Sequence, residues 1–319
     1  MSEVIKAADD LDPDIRRFHH AINSGYAAYP PHPGQTLADR RQVAEIVRAP
    51  WTQGGPVMAR TRDLYLGDRG VHVRIHEPVA DGDLPVMLYI HGGGWMLFSL
   101  DTHDRVMREY AARAGVAVVG VDYSLSPEAK FPTALEEIVA VVDAIRAGQA
   151  DPGLDPTRMA IGGDSAGANM AVAANLLLKG QGKPVLDAMV LNYGAFDHAV
   201  TASHERYGSD GYMLNSAEMV VFWDAYLRGA EDYGNPLAVP LRADLSGLPP
   251  AFLCIAACDI LTDGNLVMAA SLRAAGVPVS ANLYEGASHS FLEAVSISPL
   301  ADRAFTEAAA WLNHTLARR

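Results

Sequence analysis

The chain has 319 residues, half of them hydrophobic, which is enough to build one large core. Its formal net charge of −13 argues against nucleic acid or an anionic membrane as a partner, because no basic stripe is present to neutralise phosphates. No apolar stretch reaches the ~18–20 residues of a membrane span, and residues 1–17 lack the charged-then-apolar pattern of a signal peptide. Composition therefore predicts a globular protein without stable membrane association.

Both cysteines, Cys254 and Cys258, lie in the apolar run 251–258. Four residues along a strand span about 13 Å, which is beyond the reach of a disulfide. No histidine cluster accompanies them, as a zinc site would require. We predict two core residues, no metal site and a reducing, cytoplasmic location.

The first 57 residues predict helices and no strand. Apolar residues recur at helical spacing over 13–26 and 36–47, and Thr36 is placed to cap the second helix. Strands begin at 62–66 and 71–76, which flank a hairpin signal of two glycines around Asp68-Arg69. Later strands are predicted at 84–90, 116–122, 158–161, 188–191, 251–257 and 279–284. Helices are predicted between and after them at 104–114, 133–147, 166–179, 216–228, 265–275 and 300–316.

Strands alternating with helices predict the α/β class, with an eight-stranded, mostly parallel sheet flanked by helices. The alternation stops between Tyr193 and Pro249, where the helical segment 216–228 stands among loops. We interpret that stretch as an insertion over the carboxyl edge of the sheet, joined there by the N-terminal helices. The expected organisation is an N-terminal helical cap segment (1–57), a catalytic core (58–192 and 250–319) and a cap insertion (193–249).

The segment Gly163-Asp164-Ser165-Ala166-Gly167 fits the G-x-S-x-G nucleophile elbow. In such an elbow the serine stands on a tight turn between a strand and a helix, and the residues two before and two after it must be small. Here a predicted strand ends just before the segment and an alanine-rich helix follows it. The context predicts Ser165 as a nucleophile.

A second glycine-rich segment, His91-Gly92-Gly93-Gly94-Trp95, follows the predicted strand 84–90 directly. Glycines let the backbone approach a ligand and point N–H groups at it. Acyl transfer needs such donors to stabilise the oxyanion of its tetrahedral intermediate. We predict an oxyanion hole formed by the N–H groups of Gly93, Gly94 and Ala166, with Gly92 as an alternative, while His91 holds the loop by hydrogen bonding.

A serine nucleophile needs a base, and the base needs a carboxylate to orient it. With an elbow of this kind the three residues follow in the order serine, acid, histidine. Among the histidines after the elbow, His198 and His204 fall in the insertion and His314 within the last helix. Only His289 lies in the loop directly after the last predicted strand, so it is the expected base.

The acid is expected in the loop after the seventh strand. Asp259 ends the run 251–258, where its side chain can reach the site. Asp263 precedes Gly264 and a helix, which is typical of an N-cap. We predict Asp259 as the acid and keep Asp263 as the alternative.

From about residue 60 to 315 the sequence resembles the hormone-sensitive-lipase-like branch of the α/β-hydrolases, the bacterial family IV carboxylesterases. The resemblance rests on 91–95, on Asp122-Tyr123-Ser124-Leu125-Ser126-Pro127-Glu128 with Phe131-Pro132, on 163–167, and on Asn235-Pro236-Leu237 leading to Leu248-Pro249-Pro250. It implies an α/β-hydrolase fold with a helical cap, and a homodimer. It also implies hydrolysis of short- to medium-chain acyl esters, small molecules, without a cofactor. Matched by motif, it implies Ser165 as nucleophile, His289 as base and Asp259 as acid.

The chain departs from the family pattern at three informative positions. Ser124 and Thr262 stand where the family usually has arginine, and Ser290 stands where glycine usually follows the histidine. No triad residue is lost. We therefore expect altered local salt bridges and an altered alcohol side of the pocket, with the chemistry unchanged.

Several functions use the same machinery. Amide, lactone or carbamate hydrolysis passes through the same kind of intermediate, and a non-catalytic binding protein on this fold is a further alternative. A lipase acting at lipid interfaces is disfavoured, because the chain lacks an evident amphipathic anchor. The substrate pocket is predicted to include Trp95, Phe98, Tyr193 and Met213, with core packing as the alternative for each.

Overall fold

Eight strands form one sheet in the residues that the computed structural model describes, 7–150 and 153–317. They are β1 (Arg60–Leu66), β2 (Val71–Glu77), β3 (Leu84–Ile90), β4 (Ala117–Val121), β5 (Leu154–Asp164), β6 (Ala188–Asn192), β7 (Ala251–Cys258) and β8 (Val279–Ser288). Their order across the sheet is β1-β2-β4-β3-β5-β6-β7-β8. Only β2 pairs antiparallel with its neighbours, β1 and β4, and the other pairings are parallel. The predicted eight-stranded, mostly parallel sheet is confirmed.

The predicted helices are also present. They are α1 (Pro13–Ala27), α2 (Leu37–Arg48), α3 (Asp104–Ala114), α4 (Thr133–Arg146), α5 (Ala166–Gly180), α7 (Ser216–Tyr226), α8 (Thr262–Ala274) and α9 (Pro299–Ala317). Thr36 caps α2 as predicted, since its side chain accepts a hydrogen bond from the Asp39 N–H at 3.1 Å. The helix α6 (Ala202–Tyr207) and short 3₁₀ helices such as Phe291–Ser296 were not predicted, because so few residues cannot display an apolar period.

Both faces of the sheet are covered. Successive residues of β3 point to opposite sides, so Val86, Leu88 and Ile90 enter the core layer of α4 and α5. Met87 and Tyr89 enter the layer of α3 and α9. Burial on both sides explains why the central strands are continuous apolar runs and were recognisable in the sequence.

The segments outside the sheet contact one another. The Ala8 N–H donates to the carbonyl oxygen of Gly211 at 3.1 Å, and the Tyr212 hydroxyl donates to the Asp10 carboxylate at 3.0 Å. The segment that precedes α1 is therefore packed against the stretch between β6 and β7. Residues 1–6, 151–152 and 318–319, which belong to the predicted segments 1–57, 58–192 and 250–319, lie outside the described residues.

The remaining composition-based expectations concern cysteines, metals and membranes. Cys254 and Cys258 are free and buried, as predicted. No group of three or more histidine, cysteine or carboxylate side chains in the described ranges is arranged to hold a metal ion. Over the same ranges, no helix is both long enough and apolar enough to cross a membrane.

A buried histidine makes the fold sensitive to acid. His19 lies on the inner face of α1 beside Phe18 and Ile22, with no solvent exposure. Neither of its ring nitrogens has a hydrogen-bond partner within the described chain. Burial, together with the charge of Arg48, lowers the pKa of His19 from 6.5 to about 4. The folded protein therefore keeps this ring neutral well below the pH at which the unfolded chain protonates it.

We expect acidification to lower the free energy of unfolding through His19. The pKa of His19 is lower in the folded protein than in the unfolded chain. The contribution of this group to the free energy of unfolding is therefore fully present above about pH 6.5 and is lost as the pH falls toward 4. At about pH 5 the loss from this one group is about 2 kcal/mol. In urea unfolding near neutral pH and near pH 5, His19→Leu should lose less stability on acidification than the native chain. His20→Leu, at an exposed position of the same helix, is the matched control, and equal losses in all three proteins would contradict the prediction.

Candidate active site

Ser165 stands at the turn between β5 and α5, with backbone angles φ 55° and ψ −118°. Its N–H donates to the carbonyl oxygen of Asn192 at 2.9 Å, which ties the turn to the end of β6. A Cβ on Gly163 or Gly167 would overlap the carbonyl oxygen of Ile90 at the end of β3. The predicted strand–turn–helix setting is present, and the two glycines are required by the close approach of β3.

His289 and Asp259 lie in line with this serine. Nε2 of His289 is 3.0 Å from Ser165 Oγ, and Nδ1 is 2.7 Å from Oδ2 of Asp259. All three residues are buried, and the ring of Tyr193 packs edge-on against the imidazole at 5.1 Å. The other carboxylate oxygen of Asp259 accepts the Leu261 N–H at 3.0 Å, which fixes the orientation of the acid. The structure brings together the three residues that the sequence predicted as a triad.

Asp263 differs from its predicted structural role. The helix α8 begins at Thr262, so Asp263 lies inside the first turn and the N-cap position is Leu261. The interpretation of Asp263 as an N-cap is therefore wrong. Its carboxylate accepts the Ser203 N–H at 2.9 Å and so anchors α6, a contact between segments distant in sequence.

The other three histidines that follow the elbow lie away from Ser165 and Asp259. Nε2 of His198 is 2.9 Å from the Arg242 guanidinium. Nδ1 of His204 accepts the Thr201 N–H at 3.2 Å. His314 lies in the last turn of α9. None of them has a hydrogen bond to Ser165 or Asp259.

The glycine loop faces Ser165 with two of its three glycines. Gly93 and Gly94 line the same cavity as Ser165, and neither their N–H groups nor that of Ala166 donates to any acceptor in the described residues. The Gly92 N–H instead donates to Oδ1 of Asp164 at 3.1 Å, so this amide is not free to bind an oxyanion. The geometry therefore favours Gly93 and Gly94 over the Gly92 alternative.

His91 holds the loop, as the sequence analysis proposed. Its Nδ1 lies 2.8 Å from the carbonyl oxygen of Gly92. The ring of Tyr123 stacks on the imidazole at 4.4 Å, and its hydroxyl donates to the carbonyl oxygen of His91 at 3.0 Å. Burial lowers the pKa of His91 to about 4, so the ring is neutral near pH 7.

Asp164, the residue before Ser165, anchors the glycine loop. The sequence did not predict this role. Besides the Gly92 N–H, its carboxylate accepts the Tyr89 hydroxyl at 2.8 Å and lies 3.3 Å from Nε2 of His103. Burial raises the pKa of Asp164, but the charge of His103 and the hydrogen bonds from His103 and Tyr89 together hold that pKa below its ordinary value. Burial lowers the pKa of His103, but the charge and hydrogen bond of Asp164, together with the charge of Glu293, raise it above its ordinary value. A buried ion pair thus joins the elbow to the start of α3, while the Gly92 N–H joins the same carboxylate to the glycine loop.

Beside Ser165 a cavity of about 410 Å³ opens. Its walls come from α1, α2, the glycine loop and the stretch between β6 and β7, and they include Phe98 and Met213 as predicted. Trp95 and Tyr193 do not line it. Trp95 is buried with its ring stacked on Tyr226 at 4.4 Å, and Tyr193 is buried against His289, so both belong to the packing behind the site.

Ser124 and Thr262, at the two positions where the resembled family usually has arginine, both make hydrogen bonds to nearby groups. The Ser124 hydroxyl and N–H both donate to the Glu137 carboxylate, at 2.6 and 2.7 Å. The Thr262 hydroxyl donates to the carbonyl oxygens of Ala256 and Asp259, at 2.8 and 2.7 Å. Short hydrogen bonds therefore replace the salt bridges that an arginine would make at these two positions. The bonds of Thr262 hold the loop that carries Asp259.

The chain matches a protein-family model described as alpha/beta hydrolase fold. The match covers residues 87–293, from within β3 to beyond His289. The matched range contains the glycine loop, the elbow and all three predicted triad residues.

The fold is similar to those of solved esterases. EstE1, a thermophilic carboxylesterase cloned from a metagenomic library, is 33% identical with a TM-score of 0.85, over 90% of this chain and 99% of that one. A hyperthermophilic esterase from the archaeon Pyrobaculum calidifontis is 29% identical with a TM-score of 0.87, over 95% and 98%. A thermostable esterase from Pseudomonas putida is 29% identical with a TM-score of 0.88, over 97% and 99%.

Because Asp164 holds the glycine loop, its charge is expected to affect the catalytic rate. Asp164→Asn keeps the size of the side chain but removes the charge that pairs with His103. We expect kcat for an aryl ester to fall about tenfold or more with KM changed much less, because the glycine N–H groups lose their alignment with the developing charge.

Steady-state kinetics would measure this effect, with thermal unfolding to show that the variant is folded. Asp122→Asn, an exposed carboxylate paired with His72, is the matched control. An unchanged kcat in folded Asp164→Asn would mean that the loop needs no such anchor.

Proposed function

This chain belongs to the alpha/beta hydrolase fold family, and we propose that it is a serine carboxylesterase with Ser165 as nucleophile, His289 as base and Asp259 as acid. Named esterases among the similar structures support ester hydrolysis as the reaction. The observation that carries the assignment of residues is the hydrogen-bond chain from Asp259 through His289 to Ser165, with separations of 2.7 and 3.0 Å. Nucleophile and base lie within hydrogen-bond reach, and a third group orients the base.

The proposed reaction begins when Ser165 Oγ attacks the ester carbonyl carbon and Nε2 of His289 takes its proton. Asp259 stays ionised, accepts the Nδ1–H of His289 and stabilises the imidazolium. The tetrahedral intermediate collapses as His289 gives the proton to the leaving alcohol oxygen. Water then attacks the carbonyl carbon of the acyl-enzyme while His289 takes a proton from that water. His289 gives the proton to Ser165 Oγ as the carboxylic acid leaves, which restores the free enzyme.

The negative charge on the substrate oxygen needs donors that are already in place. We assign this role to the N–H groups of Gly93, Gly94 and Ala166. Ala166 is the first residue of α5, so the partial positive charge of the helix N-terminus adds to its N–H. No step requires a cofactor.

We propose a small-molecule substrate with a short to medium acyl chain. The cavity of about 410 Å³ lies near the lower end of the range for ligand pockets, about 300–1,000 Å³. Residues of α1, α2 and the stretch between β6 and β7 line it, which supports a cap role for the predicted segments 1–57 and 193–249. Amide, lactone and carbamate hydrolysis are the alternative uses of the same residues.

Replacing the nucleophile tests the reaction class. Ser165→Ala should lower kcat for p-nitrophenyl acetate by about 10⁵-fold, because no other side chain can form the acyl-enzyme. In the native enzyme, kcat/KM should be highest for short or medium acyl chains and should decline for long ones. A matched amide and lactone in the same series test the alternatives. Ser246→Ala, on an exposed turn, is the control, and full esterase activity in Ser165→Ala would refute the proposal.

A pair of matched substitutions tests the acid. Asp259→Asn should lower kcat by about 10⁴-fold, because the amide cannot stabilise the imidazolium or hold the reactive tautomer of His289. Asp263→Asn should change kcat only a few fold, since its carboxylate holds α6. If Asp263→Asn were the crippling change, the acid would have to be reassigned.

A further inference from the structure

Ser290 presents a polar group in the cavity wall that the proposed mechanism does not use. It follows His289 directly and lines the same cavity as Ser165. The residue is only 6% exposed. No hydrogen bond joins its hydroxyl to another group in the described parts of the chain, and the hydroxyl oxygen keeps some accessible surface. A hydroxyl in this position can gain a partner only when a ligand or water occupies the cavity.

The backbone at Ser290 is unusual for a residue with a side chain. Its angles, φ 61° and ψ 14°, lie in the left-handed region, which glycine adopts freely and serine does not. The surroundings hold this conformation. The carbonyl oxygen of Ser290 accepts the Glu293 N–H at 3.1 Å, and the next residue, Phe291, is fully buried against Tyr284 and Tyr193. The Cβ of Ser290 therefore has a fixed position in the wall of the cavity.

The reaction indicates which part of the ester this hydroxyl meets. His289 has to deliver its proton to the leaving alcohol oxygen, so the alcohol part of the ester lies beside the imidazole. Ser290 adjoins His289 in the chain and in the cavity wall. Its hydroxyl therefore lies on the side that receives the alcohol.

We propose that Ser290 determines specificity for the alcohol part of the ester by donating a hydrogen bond to an oxygen close to the scissile bond. This inference rests on the function proposed above. The preferred substrates are esters of alcohols that carry an ether or hydroxyl oxygen two carbons from the ester oxygen. A plain alkyl alcohol of equal length displaces water from the Ser290 hydroxyl without replacing its hydrogen bond, which is the basis of discrimination.

A matched pair of esters tests this inference: 2-methoxyethyl butanoate and butyl butanoate, whose alcohol parts differ by one oxygen in place of one methylene. The native enzyme should favour the methoxyethyl ester. Ser290→Ala keeps the Cβ but removes the donor, so it should lower the ratio of the two kcat/KM values by about fivefold. The loss should fall on the methoxyethyl ester, with the rate for the butyl ester nearly unchanged.

Two further variants separate recognition from a structural role. Ser290→Gly relieves the backbone conformation as well as removing the hydroxyl, so it should lose the same discrimination without a lower thermal midpoint. Ser288→Ala removes a neighbouring buried hydroxyl that does not line the cavity, and it should leave the ratio unchanged. An equal effect of Ser290→Ala on both esters, or none on either, would overturn the inference while the proposed function stands. If the native enzyme hydrolysed neither these esters nor p-nitrophenyl acetate, the proposed function would fail as well.

Discussion

The site depends on how closely the elbow approaches the end of β3. Gly163 and Gly167 both lie against the carbonyl oxygen of Ile90, at a distance that leaves no room for a Cβ. Ile90 also pairs with Gly163 in the parallel register of β3 and β5. Because the glycine loop begins at the residue after Ile90, this one contact sets Ser165 beside the loop. The pairing of β3 with β5 thus brings the nucleophile and the N–H groups of the loop together without any contact from the cap segments.

Around that contact the backbone is held in conformations that residues with side chains seldom adopt. In the described part of the chain, six non-glycine residues have positive φ: Trp95, Phe98, Ser165, Tyr193, Met213 and Ser290. All of them either line the cavity or pack directly behind the reacting groups. Such conformations persist only where the surroundings enforce them. Backbone contacts do so at Ser165, and the buried aromatic packing of Phe291 does so at Ser290. The strain is therefore concentrated where the reacting groups must be positioned.

Two buried ion pairs join the parts of the site. Asp164 with His103 links the elbow to the start of α3, and Arg48 with Glu293, 2.7 Å apart, links α2 to the 3₁₀ helix after His289. Burying charges is costly, so breaking one partner of such a pair is more damaging than the net contribution of the intact pair suggests. These pairs tie α3 to the segment that carries Ser165 and α2 to the segment that follows His289, which suits a site built from distant segments.

Local patterns in the sequence were enough to predict the strands, most helices, the elbow and the order of Ser165, Asp259 and His289, because buried parallel strands are apolar runs and a tight turn needs glycine. Contacts formed on folding are what let Asp164 anchor the glycine loop, place Asp263 against α6 instead of at the start of α8, and put Trp95 and Tyr193 behind the cavity. Each of these depends on contacts between segments far apart in the chain. Local patterns carry no information on which distant group a buried carboxylate or ring will meet, since that is set by how the layers pack around the sheet.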